Sequence, residues 1–92
     1  MDNFLLLTML KTDLGFLSTA YDERLTQYIE SAKIAIERLG ITLGDATDDS
    51  ELIVMYASWK WRNRQTGAEM PRMLRLALND RLFSEKASVA DA

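Results

Sequence analysis

Five cations crowd one stretch of this 92-residue chain: Lys60, Arg62, Arg64, Arg72 and Arg75, opposed only by Glu69. Such a cluster binds anions, either nucleic-acid phosphates or an acidic protein surface. The first three also suit a plainer role, because cations are stabilised by the negative end of a helix dipole. Arg72 and Arg75 fall in the first turns of the next predicted helix, where the dipole disfavours them, and that placement points to a partner. Asn63 follows Trp59 by four residues, so its amide can bond orphan carbonyls at a helix end. Arg64 either does the same or reaches a neighbour's carboxylate through two N–H groups.

The acids Asp45, Asp48, Asp49 and Glu51 raise the question of calcium. Their spacing lacks the alternating ligands, the sixth-position Gly and the twelfth-position Glu of an EF-hand loop. Asp48-x-x-Glu51 reads instead as a helix start. There is no cysteine and no histidine, which excludes thiol nucleophiles, zinc–thiolate sites and Ser-His or Cys-His hydrolases. The remaining carboxylates occupy capping or exposed positions, and no Gly-rich phosphate loop is present. Neither an enzyme nor a cofactor or metal site is expected.

Net charge is -3, with four basic and ten acidic side chains in residues 1–51 and seven basic and four acidic in residues 52–92. That polarity suits stacking between unlike surfaces, or two differently solvated faces. Hydrophobic residues make up 48% and charged residues 27%, the balance of a globular domain and too apolar for a disordered chain. Four Gly and one Pro leave little turn material for a β-barrel or sandwich. Phe4-Leu5-Leu6-Leu7 with Met9 and Leu10 is far shorter than the roughly 20 residues of a membrane span, and no signal-peptide pattern surrounds it. The chain is expected to be soluble and intracellular when made, with no membrane partner.

The elements that must position these residues read as four helices. Asn3 or Asp2 caps the first, which runs to about Lys11 and is broken by Thr12-Asp13-Leu14-Gly15. Ser18 or Thr19 caps the second, and Asp22 and Glu23 fill its first turn. Its stripe is Leu25, Tyr28, Ile29, Ala32, Ile36 and Leu39, with Gly40 past its end. Ile34 points away from that stripe and is a contact candidate. The third helix, about Asp49 to Asn63 or Gln65, is apolar on two sides and therefore central. Trp59 and Trp61 lie on different sides of it, so one is core and the other fills a second groove or a subunit interface. Trp61 is taken as the outlier, so that replacing Trp61 or Arg64 by Ala is expected to spare the fold. Pro71 opens the fourth helix, with Leu74, Ala77, Leu78 and Leu82 on one face and Leu76 and Phe83 on the other. That helix is expected to fray near Ser84. The fold class is thus all-α: one compact four-helix domain over residues 1–84 and a disordered tail over 85–92.

Two stretches carry a resemblance. The first is Tyr21-Asp22-Glu23-Arg24-Leu25-Thr26-Gln27-Tyr28-Ile29-Glu30-Ser31-Ala32-Lys33. The second runs from Leu52–Ala57 through Trp59-Lys60-Trp61-Arg62-Asn63-Arg64 to Met70-Pro71-Arg72-Met73-Leu74-Arg75-Leu76-Ala77-Leu78. In order, over residues 4 to 82, they resemble the tailed-phage head–tail connector (adaptor) family: small helical proteins with an aromatic-x-Asn-Arg helix end, a loop, and a Pro-initiated Leu-rich helix. The segment Asn79-Asp80-Arg81-Leu82-Phe83 is more polar than that pattern.

The resemblance implies a structural virion protein, assembled in the host cytoplasm and located in the neck. Copies would form a ring under the portal protein, extend the DNA channel and present a platform to the next neck or tail completion protein. DNA would be only a non-specific passenger. Such a ring needs two different patches per subunit. The candidates for subunit or portal contact are Ile34, Trp61, Arg62, Arg64, Arg72, Arg75 and Phe83. Alone, the chain is expected to be a monomer or weak oligomer. A second reading is a helix-turn-helix DNA-binding regulator with Arg72 and Arg75 on its recognition helix, and a third is a general helical interaction module.

Overall fold

Leu25, Ile29, Ala32 and Ile36 recur at helical spacing and are all buried, and this stripe organises the molecule. The computed structural model describes residues 3–64, 66–67 and 69–90, with side chains through residue 86. Four helices follow in order: α1 (Asn3–Leu14), α2 (Asp22–Arg38), α3 (Thr47–Arg62) and α4 (Arg72–Ala90). α3 is the hub. Leu52, Ile53, Val54, Ala57 and Trp61 are buried around much of its circumference, and it packs on α1, α2 and α4, while α1 and α2 also pack on each other. α4 rests chiefly on α3, through Leu74 and Leu78. The result is a flattened body of 47 × 29 × 17 Å with a radius of gyration of 13.7 Å, above the about 12 Å of a sphere-like domain this long.

Several element ends differ from the sequence expectation, each for a local reason. The Asn3 side chain does not cap α1; it donates to Glu30 at 2.7 Å and accepts from Lys33 on α2. Asp2, the alternative cap, lies outside the described residues. α1 continues past Lys11 to Leu14 before Gly15, at φ +79, closes it. There the Phe16 N–H bonds the Lys11 carbonyl at 2.9 Å. α2 starts after Tyr21 rather than at Ser18 or Thr19, with no side-chain cap. Ser18 accepts instead from the Ala20 N–H, and the Tyr21 ring stacks on Phe16 at 5.3 Å. Leu39 terminates α2 and is exposed, so the stripe ends at Ile36 and resumes with buried Ile41.

α3 begins at Thr47 behind Ala46, so Asp48 is not its cap and the Asp48–Glu51 reading fails. Asp49, at 2% exposure, is turned inward. Its carboxylate accepts the Gly44 N–H at 2.7 Å and pairs with Arg81 of α4. Pro71 precedes α4 and lends its carbonyl to the Arg75 N–H at 3.0 Å. α4 does not fray at Ser84. Glu85 pairs with Arg81 at 3.2 Å and accepts the Thr42 N–H at 2.9 Å, and the helix runs on to Ala90. Asp91 and Ala92 of the expected tail lie outside the described residues.

Candidate interaction surface

The basic cluster divides into cations spent inside the fold and cations left on its surface. Arg62 donates to the Asp13 carbonyl at 3.0 Å and lies 3.7 Å from its carboxylate, which also accepts the Ser58 hydroxyl at 2.6 Å. These contacts stitch the ends of α1 and α3 together. Arg64 lies over the Trp61 ring, 4.2 Å from its centroid, and donates to the Trp61 carbonyl, a cation at the negative end of α3. Asn63 is the C-terminal cap, and its amide donates to the Trp59 carbonyl at 3.0 Å, as its spacing implied. Lys60 reaches over the Trp59 ring. Arg72 and Arg75 are exposed in the first turn of α4, and neither side chain has a hydrogen-bond or ion-pair partner among the described residues.

Trp61 is not an outlier. It is 6% exposed, with Phe16 at 5.7 Å, Tyr21 at 5.8 Å and Tyr28 at 5.3 Å, each ring meeting it edge-on. The loop after α1 folds its aromatics over this side of α3, which a helical projection of α3 alone does not reveal. The placement of Trp61 at an interface is thereby corrected to the core, and Trp61→Ala is expected to cost the fold. Trp59 is the half-buried member of the pair, against Tyr56 at 5.4 Å.

The apolar outliers are where the sequence put them. Ile34 is 52% exposed on the outer side of α2, and Phe83 is 76% exposed on α4. α4 also exposes Met73 and Leu76, so its outer side carries more apolar surface than Phe83 alone supplies. Resting chiefly on α3, α4 has an outer face that no other described residue covers.

Two shallow hollows of opposite charge lie beside α3. One, about 520 Å³, opens between α2 and the end of α3 and is lined by Gln27, Tyr28, Ser31, Lys60, Asn63 and Arg64. The other, about 330 Å³, lies between α3 and α4 and presents Asp48, Glu51 and Asp80, with Arg81, over Leu52, Met55 and Ala77. No cluster of three or more potential metal-ligating side chains occurs among the described residues, and none of their helices is long and apolar enough to cross a membrane.

Arg81, at the edge of the second hollow, pairs inward with buried Asp49. Burial pushes the Asp49 carboxyl up, but hydrogen bonds from Arg81 and Gly44, with the Arg81 charge, outweigh it and hold Asp49 below its ordinary value. The hydrogen bond to Asp49 raises Arg81 against its own desolvation, with Glu85 adding to the effect. Such a network clamps α4 and the α2–α3 loop to the start of α3. Sequence reasoning missed it because Asp49 and Arg81 stand 32 residues apart and neither sits in a recognisable motif. Compared with protein-family models, with curated proteins and with solved structures, the chain matches none.

Proposed function

We propose that this chain is a structural assembly protein, a head–tail connector of the kind its sequence resembles, which acts by joining copies of itself into a ring and seating that ring on a portal. One observation carries the reading: the domain keeps a closed core yet leaves apolar groups exposed on unlike faces, among them Ile34 on α2 and Met73, Leu76 and Phe83 on α4, besides Phe4 and Leu5 on α1. A closed ring is built from two unlike patches on each subunit. Arg72 and Arg75, exposed beside the α4 patch, suit acidic portal groups or weak contact with passing DNA. Arg62 and Arg64 keep the end of α3 in shape, and Trp61 serves the core.

The regulator reading is less well supported. A helix-turn-helix joins its helices through a turn of about 3–4 residues, whereas residues 63–71 separate α3 from α4. The exposed side of α4 is interrupted by Met73, Leu76 and Phe83, large apolar groups that a helix reading base edges does not need in the groove. Titration of a labelled random-sequence duplex across a salt series separates the two. The connector reading predicts weak binding that vanishes at physiological salt. Tight binding that persists there, with a preferred sequence, would establish the regulator.

A further inference from the structure

The outer faces of α2 and α4 are complementary in shape and in charge. On α2, Ile34 stands out from the helix with Glu23, Glu30 and Glu37, seven residues apart, along one side and Arg38 on the other; all five are exposed. On α4, Leu76 and Phe83 form an apolar seam, also seven residues apart. Arg72, Arg75 and Lys86 lie along one side of it and Asp80 along the other, all exposed. Leu76, Asn79, Asp80 and Phe83 stand at i, i+3, i+4 and i+7, the four corners of the hole that receives a single knob from a facing helix.

We propose that Ile34 of one copy is that knob, so that α2 of one copy docks antiparallel on α4 of the next. The orientation follows from the two faces. In an antiparallel pair, like sides of the two seams meet, which brings the Glu row against the Arg/Lys row and Arg38 against Asp80. A parallel pair would set the Glu row against Asp80. With Ile34 centred in the hole, Glu37 lies beside Arg75, and Glu30, which also holds Asn3 and Lys33 of its own chain, lies towards Lys86. Because the donor and acceptor faces belong to different helices, the contact is heterologous and leaves both faces of the growing assembly open until it closes. The inference deepens the connector reading and rests on it for its purpose, while its geometry rests on the two helix faces alone.

The test is a charge exchange between two populations of the full chain, followed by light scattering over a concentration series. Glu37→Arg and Arg75→Glu alter exposed positions with no side-chain partner among the described residues, so the melting curve of each should match the parent fold or exceed it. The parent chain should gain mass with concentration. Each variant alone should associate several-fold more weakly, because its two faces then carry like charge. Their equimolar mixture should regain the parent's association, since each supplies the face the other now needs. Ile34→Asp, which removes the knob but keeps the α4 hole, should stay monomeric alone and, mixed with the parent, should only cap its assemblies. A parent chain that remains monomeric throughout overturns the proposal. So do variants that associate as the parent does, or a mixture that gains nothing; in those cases self-assembly uses another surface and the connector reading stands. That reading fails separately, on tight sequence-preferring duplex binding.

Discussion

Replacing Arg81 by Met keeps its aliphatic stem against α3 but removes the charge that Asp49 depends on. Asp49 is then a buried carboxylate with the Gly44 N–H as its remaining donor. Breaking a buried pair by removing one partner costs about 3–5 kcal/mol. The Arg81 side chain is 27% exposed, so solvent screens the pair and the lower end, about 3 kcal/mol, is the expected loss at neutral pH. In a domain of this length that lowers the melting temperature by about 12–24 °C. The pH dependence identifies the cause. In the parent chain Asp49 titrates below its unfolded value, so its contribution is fully present above about pH 4 and is lost as pH falls through the depressed folded value. In Arg81→Met, burial outweighs the one remaining hydrogen bond, from the Gly44 N–H, and raises the carboxyl above its unfolded value. The variant therefore regains stability as pH falls through that raised value, and the gap to the parent narrows from pH 7 to pH 4. Urea denaturation followed by circular dichroism at both pH values measures it. A loss under about 1 kcal/mol, or an equal loss at both pH values, refutes the clamp.

Three further changes follow from the same packing. Trp61→Ala empties a site walled by Phe16, Tyr21 and Tyr28 and should cost about 3–5 kcal/mol in urea denaturation, with Arg64 losing its stacking surface as well. Gly15→Ala places a side chain at φ +79, where the added Cβ meets no atom within 4 Å; the loss, about 1 kcal/mol by thermal melting, is purely that of backbone strain. Arg72→Glu should raise stability by a few tenths of a kcal/mol, since the first turn of α4 favours an anion, while weakening self-association measured by light scattering. That opposition of sign marks Arg72 as kept for a contact outside its own fold.

Four helices and the hub role of α3 were legible because burial follows residue spacing directly: Leu25 to Ile36 form a clean stripe, and Leu52 to Trp61 are apolar on two sides. Ile34 and Phe83 were legible for the converse reason, as apolar residues on the polar side of a helix. What the sequence withheld is non-local. Trp59 and Trp61 are equally apolar, and the choice between them is made by Phe16 and Tyr21, which arrive from another helix end. Asp49 resembles a surface cap until Arg81 reaches it, and α4 outruns Ser84 because Glu85 finds the Thr42 N–H. Arg64 takes the helix-end role its position allowed, on the Trp61 carbonyl, whereas the Arg62 contact with Asp13 spans 49 residues and leaves no local trace.

Self-association through two unlike faces is the centre of this account, and the mass of the parent chain in solution tests it most directly. Light scattering from dilute to concentrated protein, at low and at physiological salt, should show mass rising from the monomer with concentration, more steeply at low salt, where charge rows attract across longer distances. A mass fixed at the monomer over the whole range, or fixed at the dimer and indifferent to salt, contradicts it.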